Sequence, residues 1–452
     1  MSDPIVYSIF SESFVALRKV KMGIKITRCE YFDVRFPTSI TNDGSDAMNI
    51  NPDYSASYIK IHTTDPELSG DSFVFTTGHG NDIQVKAIEM LAEQLVGWDI
   101  DEAFKNIGNI ARNLSRNSHI RWLGPDVGIF HMAAGAVLNA LWDLFAKNRG
   151  VPLWKLLADM SPEEIVNAID FRYISDALTP AEALQILKTA ENSKKDNEII
   201  LRNSGVPAYT TTPGWLGYSD EKMLNLTQEA LDDGFKLIKY KCGGSVSDDR
   251  RRLKLVREKV GDDFKISIDA NQVWDVDQAI DWLEQLKEFR PFWIEEPTHP
   301  EDVLGHARIA KEVFPIRVAT GEMANNRLIF KQLLQAKAIS VLQIDAARVA
   351  GVNENLAIIL MAAKFDIPVC PHAGGVGLCE MVQHLAMFDA VAVTGHHERR
   401  VVEFVDHLHE HFITPVRVRN GYYLAPIAPG GGGEMFNESI QEFLFPNGAY
   451  WR

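Results

Sequence analysis

Apolar and polar residues alternate through the early part of the chain, as in Ile24-Lys25-Ile26-Thr27 and Tyr58-Ile59-Lys60-Ile61. This is the period-two signature of strands with one buried face. A small antiparallel sheet is therefore expected between residues 23 and 93. Within it lies Asp43-Gly44-Ser45-Asp46-Ala47-Met48-Asn49, a polar stretch with a turn-forming Asp-Gly pair, whose composition reads as a solvated hairpin connection. The apolar period then lengthens to that of helices at 83–96, 107–114 and 132–147. These elements make an α+β domain over 23–163, preceded by an extension over 1–22.

From about Glu164 the pattern becomes strand, helix, strand, helix, which signals a parallel sheet with crossover helices. Strands or strand ends are expected at 235–241, 265–269, 292–295, 317–320, 340–345, 367–372 and 401–403. Their spacing, roughly 23–31 residues, suits one strand plus one helix of a barrel running to 425. The polar run 194–203 reads as an insertion. Residues 426–452 form a separate C-terminal segment, with Gly430–Gly433 as a flexible connector, because the run lacks the Gly-Lys-Ser/Thr ending of a phosphate loop.

Several of these strands end in ionisable residues. Asp269, Glu295 and Glu322 follow one another at intervals of 26 and 27 residues, each after a short apolar run. Units of that rhythm bring three carboxylates to one end of a barrel, where they can hold a hard cation such as Mg²⁺. Strand parity puts Ser267, Asp269 and Asn271 on one face and Ile266 and Ile268 on the other, and it points Lys239 and Lys241 inward together. Asp345, His372 and Glu403 complete the set. Taken singly, each has a structural reading as a cap, a surface charge or a core histidine; their recurrence at one structural position points to a site. His407, His409 and His411 lack a matching carboxylate pattern and read as solvated or structural. Gly374-Gly375-Val376-Gly377 reads as a tight turn at the barrel mouth rather than a dinucleotide fingerprint.

Composition narrows the partners. The chain has 452 residues, 46% of them hydrophobic, and carries 46 Lys and Arg against 61 Asp and Glu, a formal charge of −15. That is a globular protein whose field repels nucleic acid and anionic membranes. A small anionic substrate remains open where a metal or lysines reverse the local potential. Cys29, Cys242, Cys370 and Cys379 show no paired spacing, as for reduced thiols in the cytoplasm. No apolar run approaches the roughly 20 residues of a membrane span. Residues 1–22 carry Asp3 and Glu12 beside Arg18, Lys19 and Lys21, a poor match to an acid-poor transit peptide, so mitochondrial import is the lesser alternative.

At these positions the sequence resembles the enolase superfamily, in its mandelate racemase-like branch: Lys239-Tyr240-Lys241, Asp269-Ala270-Asn271, Glu295-Glu296-Pro297, Gly321-Glu322, Asp345, His372 and Glu403. Within the branch it is most similar to the L-fuconate dehydratases, through Val34-Arg35-Phe36-Pro37-Thr38, Gly44-Ser45-Asp46-Ala47-Met48, Pro52-Asp53-Tyr54-Ser55, Val352-Asn353-Glu354-Asn355-Leu356, the stretch Pro371–Glu380, and Val405-Asp406-His407-Leu408. The resemblance implies a modified (β/α)₇β barrel of the TIM type under an α+β cap built from the N-terminal part and the C-terminal tail. It implies Mg²⁺-dependent dehydration of an acid sugar, L-fuconate to 2-keto-3-deoxy-L-fuconate, in a homo-oligomer. Other acid sugars of the galactonate or arabinonate type come next, then racemisation, then a non-catalytic binding barrel. Lys241 is assigned as base with Lys239 as its electrostatic partner, and His372 oriented by Asp345 as acid. Gly44, Ser45, Asp46, Tyr54, Asn271 and Glu403 join Lys241 and His372 in touching substrate, which reverses the solvated reading of the cap loop. The chain departs from its resemblance at Met323 and Ala324, where polar residues are usual, and at Cys242-Gly243-Gly244.

Overall fold

A computed structural model of the chain describes residues 23–124, 126–395 and 399–452. The expected extension over 1–22 lies outside them. Three antiparallel strands, β1 (Ile26–Arg35), β2 (Ser55–Thr63) and β3 (Ser69–Thr76), form the cap sheet in the order β1-β2-β3. The helix Gly128–Arg149 packs across β3 and β2. It is long and apolar enough to cross a membrane, which corrects the absence of such a run, yet 83% of its apolar window is buried inside the protein, the mark of a core helix.

The second domain is a closed parallel barrel. Its staves are β4 (Val206–Thr210), β5 (Leu237–Lys241), β6 (Lys265–Asp269), β7 (Trp293–Glu295), β8 (Arg317–Thr320) and β9 (Val341–Leu342), then the extended residues 367–372, then β10 (Val402–Phe404), which pairs with β4. Residues 367–372 are stitched in by a parallel bridge from Val369 to Leu342 and by the Glu403 amide donating to the Pro371 carbonyl at 3.0 Å. Seven helices connect the staves, and no α-helix follows β10 directly, giving a (β/α)₇β barrel. Barrel helices open on side-chain caps: Ser219, Ser245, Asp302 and Asn326 each accept from an amide of the first turn.

The first stave, β4, has no counterpart among the expected strands. Residues 162–204, where strand and helix were expected to alternate, are instead three helices, Pro162–Ala168, Pro180–Ala190 and Lys194–Ser204. Proline at the first helical position and capping boxes at Ser161 and Thr179 start the first two. The polar run 194–203 is thus a helix in sequence with the others, its Asn197 and Leu201 buried.

The C-terminal segment returns to the cap, where Val34 bridges Leu444 and the Phe36 ring lies 4.8 Å from that of Phe443. Gly430–Gly433 is packed rather than flexible. The Gly430 carbonyl accepts from Leu153 at 2.8 Å, the Gly431 amide donates to Asp143 at 2.6 Å, and a Cβ on Gly432 would meet the Glu380 carbonyl at 2.2 Å. At Gly432 the backbone of Glu380 passes too closely for any side chain, and Gly430, at φ +114°, takes a conformation that favours glycine.

Candidate active site

Hydrogen-bond register builds the site. Lys241 on β5 pairs with Asp269 on β6, which pairs with Glu295 on β7, so three charged side chains stand side by side at the C-terminal ends of neighbouring staves. Glu322 follows two residues after β8. One oxygen from each of Asp269, Glu295 and Glu322 lies within 4.8 Å of the others. Three hard oxygen donors at this separation fit a divalent cation. The Oδ1 of Asn271 is buried without a hydrogen-bond donor, and the Oε2 of Glu322 has only a longer contact with the His372 ring at 3.4 Å, which leaves lone pairs for an occupant of the site. Asn271, Gln272 and Glu296 hold positive φ of 44°, 67° and 44°, and such non-glycine strain gathers at functional mouths.

Lys241 donates to Asp269 at 2.6 Å and is the lysine that reaches the cleft. Burial lowers its affinity for a proton, but Asp269, Glu322 and Asp46 outweigh this and hold it above the ordinary lysine value. Lys239 does not line the cleft. It is fully buried beneath, ion-paired to Glu295 and, at 2.9 Å, to Glu403. Burial pushes the Glu295 carboxyl up to about 8 against the pull of Lys239, with Asp269 and Glu403 adding to the rise. Asp269 goes the other way, since the two lysines overcome its burial.

His372 ends the stave after β9. Its Nδ1 lies 2.7 Å from Asp345 Oδ2, and Asp345 Oδ1 is fixed by the Ala347 amide at 2.6 Å. The His372 Nε2 faces Glu322 at 3.4 Å and the Gly374 amide at 3.2 Å. Desolvation lowers the His372 pKa, yet Glu322, Asp345 and Glu403 raise it to about 10, which favours the protonated ring. Once that proton is given up, Nε2 can accept from the Gly374 amide in place of facing a carboxylate.

These groups open into one cleft of about 430 Å³ between barrel and cap. Gly44, Asp46 and Tyr54 line it from the cap, and Lys241, Asn271, Glu322, Asp345 and His372 from the barrel. Gly44, at φ +81°, lies flat against Tyr54, whose ring a Cβ would strike at 2.3 Å. Two of the residues expected to touch substrate, Ser45 and Glu403, do not line the cleft. Ser45 is buried away from the cleft, its hydroxyl donating to the Asn42 carbonyl and accepting from the Gly217 amide, so it pins the cap loop to the barrel. Glu403 is buried below the floor, held by Thr211, Lys239 and the Ala373 amide, and it acts on the site through Lys239 and His372. The three histidines of 407–411 are structural: His407 lies between Tyr54 and Trp215, inclined at 60° and 65° to their rings, His409 bonds Glu380 at 2.6 Å, and His411 bonds Ser439 at 3.0 Å.

Sequence reasoning missed Arg348, Gln272, Phe75 and Met132, all of which line the cleft. Phe75 and Met132 belong to cap elements whose pattern reads only as core, so no local signal marks them. Arg348 stands three residues past Asp345 and could have been found by extending the strand-end rule one turn.

A cap over a (β/α)₇β barrel, with three converging carboxylates, a lysine and an oriented histidine at the strand ends, is the architecture that the comparisons with known proteins match. The chain belongs to the enolase superfamily: residues 222–439 match the family described as Enolase C-terminal domain-like, and residues 47–158 match the Mandelate racemase / muconate lactonizing enzyme, N-terminal domain. It is 49% identical over 435 residues to the L-galactonate dehydratase of Hypocrea jecorina, covering 95% of this chain and 96% of that one. The crystal structure of human mitochondrial enolase superfamily member 1 superposes with a TM-score of 0.93 at 48% identity, over 94% of this chain and 98% of that one. The L-talarate/galactarate dehydratase of Salmonella typhimurium, solved with Mg and L-lyxarohydroxamate, shares the fold with a TM-score of 0.72 at 24% identity, over 97% and 96% of the two chains.

Proposed function

We propose that the protein is a Mg²⁺-dependent acid-sugar dehydratase that converts L-fuconate to 2-keto-3-deoxy-L-fuconate. The observation that carries this is a cleft lined by Lys241, Glu322, Asp345 and His372, with Asp269 and Glu295 buried directly behind Glu322 so that one oxygen of each of the three carboxylates lies within 4.8 Å of the others. Mg²⁺ held by the triad supplies Lewis-acid charge that makes the proton beside a bound carboxylate easier to remove.

Lys241 Nζ, as the free amine, takes the α-proton, and the electron pair passes into the substrate carboxylate. Lys241 is held protonated mainly by Asp269 and Glu322, and it would lose that hold and be free to act as the base if those two carboxylates served as ligands. His372 then gives its Nε2 proton to the β-hydroxyl, which leaves as water, and the enol tautomerises to the 2-keto acid. Asp345 keeps the ring oriented with Nε2 toward the cleft. Lys239, buried between Glu295 and Glu403, offsets their charge under the reacting carbons. Asn271 Oδ1 steers a substrate hydroxyl near the ligands.

L-Fuconate is supported by an apolar group on the cap side of the cleft, Met48, Phe75 and Met132, which offers a place for a terminal methyl group beside the polar Asp46, Thr76 and His79. The second reading is L-galactonate, its 6-hydroxy counterpart, favoured by the L-galactonate dehydratase that matches over 95% of this chain. Keto-acid formation across a library of sugar acids, with and without Mg²⁺, tests both. L-Fuconate should give the highest kcat/KM. A clear preference for L-galactonate would exchange the two readings, and no turnover of any sugar acid would sink the dehydratase.

A further inference from the structure

Arg348 is a cation in want of a partner. It lines the cleft, yet among the described residues it makes no ion pair. Its three hydrogen bonds are all 3.3 Å long: Nη1 to the Met132 sulfur, and Nη2 to the Met323 carbonyl and Asn325 Oδ1. The Nε–H is buried with no acceptor. Arg252, Arg327 and the half-buried Arg400 also leave an Nε–H without an acceptor, but their remaining donors are served better. Arg252 donates to the Lys241 carbonyl at 2.6 Å and the Gly214 carbonyl at 3.0 Å, Arg327 pairs with Glu354 at 3.1 Å, and Arg400 with Asp389 at 2.8 Å. A guanidinium offers five N–H donors in a fixed plane, and leaving them on a thioether and long contacts forfeits much of their worth.

Its place in the fold shows which part of an occupant it meets. Arg348 lies three residues beyond Asp345, on the cap side of the His372 orienter, and it touches Met132 at the start of the long cap helix. The reacting carbons are held lower, among Lys241, His372 and the triad. We propose that Arg348 is a specificity-determining residue: it donates hydrogen bonds to a hydroxyl oxygen of the acid sugar beyond the two reacting carbons, with Met132 and Met323 as apolar guides on either side. This rests on the acid-sugar reading above. A second carboxylate at the far end of a di-acid would offer the same oxygen acceptors, and the assay separates the two sources.

The test uses the full chain with Mg²⁺ and compares wild type with Arg348→Met and Arg348→Lys. Substrates are the sugar acid that wild type turns over fastest, its analogues lacking one distal hydroxyl each, and the di-acid of the same configuration. A hydrogen bond to a charged donor is worth roughly 10- to 100-fold in binding. Arg348→Met should therefore lower kcat/KM on the parent by that factor, mainly through KM, and by under about threefold on the one analogue that lacks the contacted hydroxyl. Arg348→Lys should fall between, since its point charge lacks the planar fork. A loss confined to the di-acid would show that the partner is a carboxylate and overturn the hydroxyl assignment. Equal loss on every substrate, or none, would reduce Arg348 to a structural residue. Melting curves show whether Arg348→Met is folded, and the lysine variant carries the same comparison if it is not. Wild type inactive on all sugar acids would instead remove the underlying function.

Discussion

The barrel mouth and the cap loop face each other across one cleft and are built in opposite ways. At the mouth, Lys239, Asp269 and Glu295 are fully buried on neighbouring strands, and register places each beside the next. The loop between β1 and β2 has no such ladder. It holds its shape by short-range bonds, such as Thr38 to the Pro52 carbonyl at 2.7 Å and Asp46 to the Met48 and Asn49 amides, both at 2.7 Å. It leaves Ile40, Met48 and Ile50 more than 60% exposed. Its polar ties to the barrel are few: Ser45 to the Leu216 and Gly217 amides, and Asp43 to Tyr218 and Lys222. A proton transfer needs groups held within a fraction of an ångström, which strands provide, whereas substrate choice can be revised by changing a loop without disturbing them.

The deepest way to break this division is at Lys241. Lys241→Ala should lose roughly 10²–10⁴-fold in dehydration and lose exchange of the α-proton with deuterated solvent as well. Full retention of exchange would remove Lys241 from the base role. His372→Asn should lose dehydration over a similar range, about 10²–10⁴-fold, yet keep solvent exchange, because the acid acts on the leaving hydroxyl and not on the α-proton. Monitoring both reactions by NMR separates the two sides of the mouth. Chelation should abolish turnover, with Mg²⁺ restoring it in wild type but far less in Glu322→Gln.

A gentler probe concerns a second junction of cap and barrel. His131 on the cap helix lies 2.5 Å from Glu354, which also meets Arg327. Burial raises the Glu354 pKa, but His131 and Arg327 more than reverse this and depress it from 4.5 to about 2. A carboxyl depressed in the folded state stabilises above its ordinary value and loses that contribution as pH falls from 4.5 toward 2. Wild type should melt more steeply through that window than Glu354→Gln, and identical acid melts would show that the contact adds nothing. The smallest effect belongs to the loop tie. Tyr218→Phe removes the bond to Asp43 and should raise KM roughly threefold to tenfold with kcat nearly unchanged. An equal fall in kcat would mean that the loop positions the reacting groups too.

The seven later staves and the ionisable residues at their ends were readable because each depends on local pattern: a short apolar run, a period of two, and a helix's length before the next. Parity alone placed Lys241, Asp269 and Asn271 toward the axis. The first stave was hidden, since Val206-Pro-Ala-Tyr-Thr follows three helices with no strand of its own kind before it, and only pairing with β5 and β10 makes it a stave.

Pattern along the chain could say which residues face inward and not how deep they sit. Tertiary packing decided that Lys241 reaches the cleft while Lys239 and Glu403 lie beneath it, and that Ser45 turns to Gly217. The Gly430–Gly433 run was ambiguous for the same reason, since Gly432 and Gly430 record close approaches to Glu380 and Asp143 from elsewhere in the chain. Local sequence sets periodicity and direction, because those follow from backbone geometry over a few residues. Depth, partners and the far wall of the cleft, including Arg348 beside Met132 of the cap, come from elements more than two hundred residues apart, and only folding brings them within reach of one another.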